Sequence, residues 1–235
     1  MALIKKWMLL TGLGIMVSVL ILSCTKNMEA DMEGLSSNKK FLALGDSYTI
    51  GEAVPQKAQF AQQAIDLLKR ENIIFNDPVV IAARGWTTTD LINTLTTVKL
   101  ANNFDFVTLL IGVNNQYENL SIAVYTNEFT TLLNAAIAYA DGRPGRVAVL
   151  SIPDYSVTPF AANSDTAKIA REINAYNDIN RRIAQEKGVT YINITPISRE
   201  AKTNAAFTIA DGLHPSEQQY GRWAALLAPI IKAAL

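Results

Sequence analysis

The 235-residue chain contains one histidine, His214, and an aspartate, Asp211, stands three residues before it. Imidazole is suited to moving protons near neutral pH, and a carboxylate one tight turn away can accept its second N–H, fix its tautomer and stabilise the imidazolium. Such a base serves a serine, whose hydroxyl is a poor nucleophile until a neighbour takes its proton. The candidate is Ser47, which follows an apolar run ending at Gly45 and opens a helical turn, where unpaired backbone N–H groups favour negative charge. Taken singly, each residue has a plainer reading: Ser47 as a helix cap, Asp211 as a turn former beside Gly212, His214 as the entry to a helix. Taken together they point to acyl transfer through a covalent serine intermediate.

Composition narrows the chemistry further. With 21 basic against 21 acidic residues there is no electrostatic footprint for a nucleic-acid backbone, so nucleic acid is not expected as a partner. One cysteine excludes a disulfide framework within the chain and a cysteine-based zinc site, and one histidine excludes the common multi-histidine metal centres. No metal and no cofactor is implied. At 49% hydrophobic and 18% charged residues, the chain can bury one sizeable core and is far too apolar for disorder.

The elements that must position these groups are legible from residue 41 onward. Short apolar runs at 41–45, 79–83, 106–111, 147–151 and 190–194 read as five strands. Between them lie helical patterns at 57–70, 88–100 and about 122–140, a helix with Ile169, Ile173, Tyr176, Ile179 and Ile183 on one face, and a last helix over 216–234. Alternating strands and helices predict an α/β fold, a three-layer α/β/α sandwich on a mostly parallel sheet of about five strands. Ser216-Glu217-Gln218-Gln219 reads as a capping box, placing Asp211 and His214 on the loop that feeds the last helix. The connection 152–164, with two prolines and two aromatics, has no clear pattern and is a candidate functional loop.

Ligands of an open parallel sheet sit beyond the carboxyl ends of its strands. There the chain carries Gly45-Asp46-Ser47-Tyr48, Arg84-Gly85-Trp86 and Gly112-Val113-Asn114-Asn115, with Asp211-Gly212-Leu213-His214-Pro215 before the last helix. These four motifs, in this order, resemble those of the SGNH or GDSL family of serine hydrolases. Tyr48 stands where that family often has leucine, and Asn115 where it often has aspartate. The resemblance implies a flavodoxin-like SGNH-hydrolase fold, Ser47 as nucleophile with Asp211 and His214, and an oxyanion hole of the Ser47 N–H, the Gly85 N–H and the Asn114 amide. It allows short-chain acyl esters, lysophospholipids and O-acetylated glycans as substrates. An acyltransferase using the same site, or a non-catalytic ligand-binding surface lipoprotein on the same fold, are the competing readings. Tyr48, Trp86, Tyr117 and Tyr155, with Phe160, follow strand ends and are candidate substrate contacts.

The N-terminus carries a separate signal. Lys5 and Lys6 precede an apolar stretch over 7–22, and Ser23-Cys24 follows, a pattern resembling a bacterial lipobox. The expected organisation is a lipoprotein signal peptide at 1–23, a polar tether at 24–40 and a hydrolase domain at 41–235. The expected product is exported to the bacterial cell envelope and held on a membrane by lipid on Cys24.

Overall fold

In the computed structural model, which describes residues 38–235, five strands form one parallel sheet. They are β1 (Phe41–Gly45), β2 (Val79–Ala82), β3 (Phe106–Leu110), β4 (Val147–Leu150) and β5 (Thr190–Ile192). Their order is β2-β1-β3-β4-β5. Every residue of β1, β3 and β4 is buried, which is why these segments read as continuous apolar runs instead of alternating ones. The edge strands β2 and β5 are partly exposed.

The order places the site. From β1 the chain moves outward to β2, then crosses back to β3 on the other side, so the strand order reverses between β1 and β3. A crevice opens beyond the carboxyl ends of strands at such a switch point. Two short helices start there: α1 (Ser47–Ile50) after β1 and α4 (Val113–Tyr117) after β3.

Longer helices cover the sheet. These are α2 (Phe60–Lys69), α3 (Thr88–Thr97), α5 (Ile122–Tyr139), α6 (Thr166–Glu186) and α8 (Glu217–Ala234), with the short α7 (Thr195–Arg199) after β5. α2 packs against α8, while α3 packs against α5 and α5 against α6, giving the two helical layers expected of right-handed crossovers. Buried aromatics join α2 to α8: the Trp223 ring lies 5.1 Å from Tyr220 and 6.1 Å from Phe60, centroid to centroid. Trp223 also approaches Tyr48 of α1 at 6.5 Å, and the Tyr220 hydroxyl donates to the Tyr48 carbonyl at 3.0 Å.

Several boundaries differ from the sequence reading for local reasons. A 3-10 turn (Gln56–Ala58) and an extended Gln59 precede α2, so the helix begins at Phe60 instead of residue 57. α3 stops at Thr97 because Val98 turns extended. Ser216 caps α8 through Gln219 N–H, but the reciprocal half of the capping box is missing: Gln219 Nε2 donates to the Phe207 carbonyl, and Ser216 N–H does the same. The 152–164 connection is built from two 3-10 turns, Tyr155–Val157 and Pro159–Ala161. The domain takes in Lys39 and Lys40, assigned above to the tether: Lys39 bridges to Phe75, and Lys40 N–H donates to Asp105. Cys24, the signal peptide at 1–23 and the tether over 24–37 lie outside the described residues. Among the described residues no helix is long and apolar enough to cross a membrane.

Gly45 shows how tightly β1 meets β3. A Cβ there would run into the Leu110 carbonyl of β3 and the Thr49 side chain of α1. Gly45→Ala is therefore expected to destabilise the fold by about 2 kcal/mol or more, read as a lowered urea midpoint with an unchanged m-value.

Candidate active site

Burial of β1 fixes where Ser47 emerges. Asp46 caps α1, its carboxylate accepting the Tyr48 N–H at 2.9 Å while its carbonyl accepts from Thr49 and Ile50. The Ser47 N–H is then the first-turn donor left without an acceptor among the described residues. Ser47 and His214 are each 4% exposed.

His214 reaches Ser47 from the other end of the chain. Its Nε2 lies 3.0 Å from Ser47 Oγ, and its Nδ1 lies 2.6 Å from Asp211 Oδ2. Asp211 Oδ1 accepts the backbone N–H of Leu213 and of His214, so the three-residue spacing closes into a turn that holds carboxylate and imidazole together. The loop is held in turn by Ile209 N–H donating to the His214 carbonyl and Phe160 N–H donating to the Gly212 carbonyl. The Tyr48 ring lies against the imidazole, 5.4 Å between centroids. The Ser47, Asp211 and His214 expected from sequence thus form one connected line.

Two carboxyl groups beside the serine have opposite surroundings. Burial pushes the Asp46 carboxyl up from 3.8 to about 7, against the pull of hydrogen bonds from the Tyr48 and Asp46 N–H groups. Burial also acts to raise Asp211, but the hydrogen bonds from the His214 ring and from the Leu213 and His214 N–H groups outweigh it and leave the carboxyl below its ordinary value. Asp211 therefore stays ionised where a proton donor must be oriented, while Asp46 serves as a structural cap.

The crevice holds a cavity of about 270 Å3 lined by Ser47, His214, Gly85 and Asn114. Asn114 Nδ2 donates one hydrogen to the Trp86 carbonyl at 2.9 Å, which orients the amide and leaves its second hydrogen available. Gly85 has φ +78° and open space where a Cβ would lie, so glycine is required by the backbone conformation and not by crowding. Tyr48, Tyr117 and Tyr155 line the cavity, with Phe160. Tyr117, Tyr155 and Phe160 form a triangle of rings 6.1 to 6.3 Å apart. Tyr155 is set by Asp154, which caps its 3-10 turn and is paired with Arg199 at 2.8 Å; its hydroxyl donates to Gln116. Trp86 is not among the lining residues; its ring packs on the core, and its backbone carbonyl is the part that serves the site.

Arg84, Val113 and Leu213 also line the cavity and were not singled out from sequence. Each is next to a motif residue, and that adjacency was the available signal. Arg84 is exposed and pairs with Glu52 at 3.6 Å.

A family model described as GDSL-like Lipase/Acylhydrolase matches residues 43–222, most of the chain. The chain belongs to this family. Solved structures agree on the fold. That of TesA is 17% identical with a TM-score of 0.64, over 84% of this chain and 100% of that one. An acetylxylan esterase from Geobacillus stearothermophilus is 20% identical with a TM-score of 0.62, over 83% and 94%. The psychrotrophic esterase EstA from Pseudoalteromonas sp. is 16% identical with a TM-score of 0.60, over 83% and 98%. A search of curated proteins returns no match. The GDSL-family α/β fold expected from the motifs is the fold observed.

The Asp46 surroundings carry a prediction. Between about pH 4 and pH 7 the folded state keeps a proton that the unfolded chain has released, so this group's contribution to stability falls as pH rises across that window. Asp46→Asn keeps the capping oxygen and removes the titration. The melting temperature of wild type relative to this variant should fall between about pH 4.5 and pH 8, by an amount on the order of a few kcal/mol in stability.

Proposed function

We propose that this GDSL-family hydrolase cleaves small carboxylic esters through an acyl-enzyme on Ser47. The observation that carries the reading is the 3.0 Å contact of Ser47 Oγ with His214 Nε2, backed by Asp211 on Nδ1. In this reading Ser47 Oγ attacks the ester carbonyl carbon as its proton passes to His214 Nε2. The carbonyl electrons move onto oxygen, where the Ser47 N–H, the Gly85 N–H and the Asn114 amide supply donors. The tetrahedral intermediate collapses, His214 returns its proton to the departing alkoxide, and the alcohol leaves. Water then attacks the acyl-enzyme, again giving its proton to His214, and the acid is released with Ser47 restored. Throughout, the ionised Asp211 holds the imidazole N–H and balances the transient positive charge.

Size favours a small acyl group. A cavity of about 270 Å3 falls just short of the range, about 300–1,000 Å3, that holds drug-sized ligands. Acetyl and other short acyl esters fit this space, which favours them over a long lysophospholipid chain. The exposed rings of Tyr117 and Phe160 at the mouth suit a planar aryl group or a sugar face on the alcohol side.

Hydrolysis of p-nitrophenyl esters of rising chain length tests this. kcat/KM should be highest for acetate and fall steeply beyond a few carbons. Ser47→Ala should lose at least about a thousandfold in kcat with its melting temperature kept, and Asp211→Asn should lose about as much in kcat with a smaller change in KM. Wild-type turnover in Ser47→Ala, or a preference for long chains, contradicts the reading.

We also propose that the protein is exported and carried on a bacterial membrane by lipid on Cys24; the pattern of Lys5, Lys6, the apolar stretch over 7–22 and Ser23-Cys24 supports this. Full-length protein made in a bacterial host should fractionate with membranes and carry lipid mass, and Cys24→Ala should lose both. An alanine form processed and located like wild type overturns the anchor.

A further inference from the structure

The two segments that carry Gly85 and Asn114 are joined by a chain of hydrogen bonds, buried at Asn115 and Thr88 and partly exposed at Glu128, that the reaction itself does not touch. Asn115 and Thr88 are both fully buried. Thr88 N–H, an unpaired donor at the start of α3, donates to Asn115 Oδ1 at 3.0 Å. This fixes the amide's orientation, because only the oxygen can accept that N–H. Asn115 Nδ2 therefore faces Thr88 Oγ1 and donates to it at 2.6 Å. Thr88 Oγ1 passes its single proton to Glu128 Oε2 at 2.5 Å, and Thr89 Oγ1 donates to Glu128 Oε1 at 2.8 Å. A carboxylate at the N-terminus of α3 suits that helix end.

We propose that Asn115, Thr88 and Glu128 are positioning residues that set both loop-borne oxyanion donors, and that the direction of this chain requires asparagine at 115 because glutamate stands at 128. The inference rests on the assignment of Gly85 and Asn114 to the oxyanion hole. Asn114 is the neighbour of Asn115 and holds the Trp86 carbonyl, next to Gly85; Thr88 lies two residues beyond Trp86. The 85–88 segment is thus tied to α4 at two points, and both donors sit on the tied pieces. Misplacement of such donors by a fraction of an ångström lowers the rate without weakening ground-state binding.

The direction gives a specific test. Aspartate at 115 still accepts the Thr88 N–H, but its second oxygen and Glu128 then compete for one hydroxyl proton, and two carboxylates repel across it. In the double variant Asn115→Asp/Glu128→Gln the chain runs in reverse: the amide introduced at position 128 donates to Thr88 Oγ1, which donates to the carboxylate introduced at position 115, and every group is satisfied.

With p-nitrophenyl acetate, Asn115→Asp should lower kcat by between about tenfold and a hundredfold with KM within about twofold. Glu128→Gln alone should cost less than Asn115→Asp. The double variant should be faster than Asn115→Asp by about tenfold. Thr88→Val, which removes the shared hydroxyl without adding charge, should also lose kcat, and Thr88→Ser should regain most of it; this pair reads the same chain if Asn115→Asp does not fold.

A double variant no faster than Asn115→Asp, or equal kcat in Thr88→Val and Thr88→Ser, overturns the proposal while wild-type esterase activity leaves the reading of Ser47 standing. A wild-type protein that neither hydrolyses the ester nor reacts with a fluorophosphonate at Ser47 overturns both.

Discussion

The contact between Ser47 and His214 spans almost the whole domain, and the rest of the structure is arranged so that it survives. Ser47 leaves the carboxyl end of β1, a fully buried strand; His214 sits on the loop before α8, the last helix. No local interaction brings them together, so their 3.0 Å separation is a result of global packing. The α2–α8 aromatic cluster sets the height of α8, and the Tyr220 hydroxyl on the Tyr48 carbonyl links that helix to the turn that bears the serine. Ring contact of Tyr48 with His214 closes the same loop of contacts from the other side. A shift of α8 therefore reaches the base and the nucleophile through different atoms.

This arrangement costs stability. Asp46 is buried in a place that resists its ionisation, because a cap is needed on the four-residue helix that aims Ser47. Gly85, which lines the cavity, holds a left-handed backbone that favours glycine. Asp154, 1% exposed, is tolerated through Arg199 and through the Ser156 N–H, and it fixes the turn that carries Tyr155. These are the local departures from an ideal sequence that cluster where a site is built.

Much of this was legible in the sequence because the informative signals are short-range or periodic. The five strands were visible as apolar runs, since the central three are buried on both faces and need no alternation. Asp211 and His214 interact across three residues, and Ser47 and Asn114 lie at strand ends where a parallel sheet places its ligands. What was not legible depends on partners far along the chain. Gln219 looked like half of a capping box but finds the Phe207 carbonyl instead. Trp86 looked like a substrate contact because it follows a strand, yet its ring has core to pack on and its carbonyl has Asn114 to accept from. Asn115 looked like a departure from a motif until Thr88 and Glu128 were in view, since the pairing that accounts for it joins residues 27 and 40 positions apart.

In the proposed reaction, nucleophile, base and three donors converge on one reacting carbonyl. The structure of the protein after reaction with a small alkyl phosphonate tests it most directly, because the adduct mimics the tetrahedral intermediate. Phosphorus is expected on Ser47 Oγ, with one phosphoryl oxygen within about 3.2 Å of Ser47 N, Gly85 N and Asn114 Nδ2 and the His214 ring facing the leaving-group side. An adduct on another residue, or one on Ser47 whose oxygen turns to solvent away from Gly85 and Asn114, contradicts it.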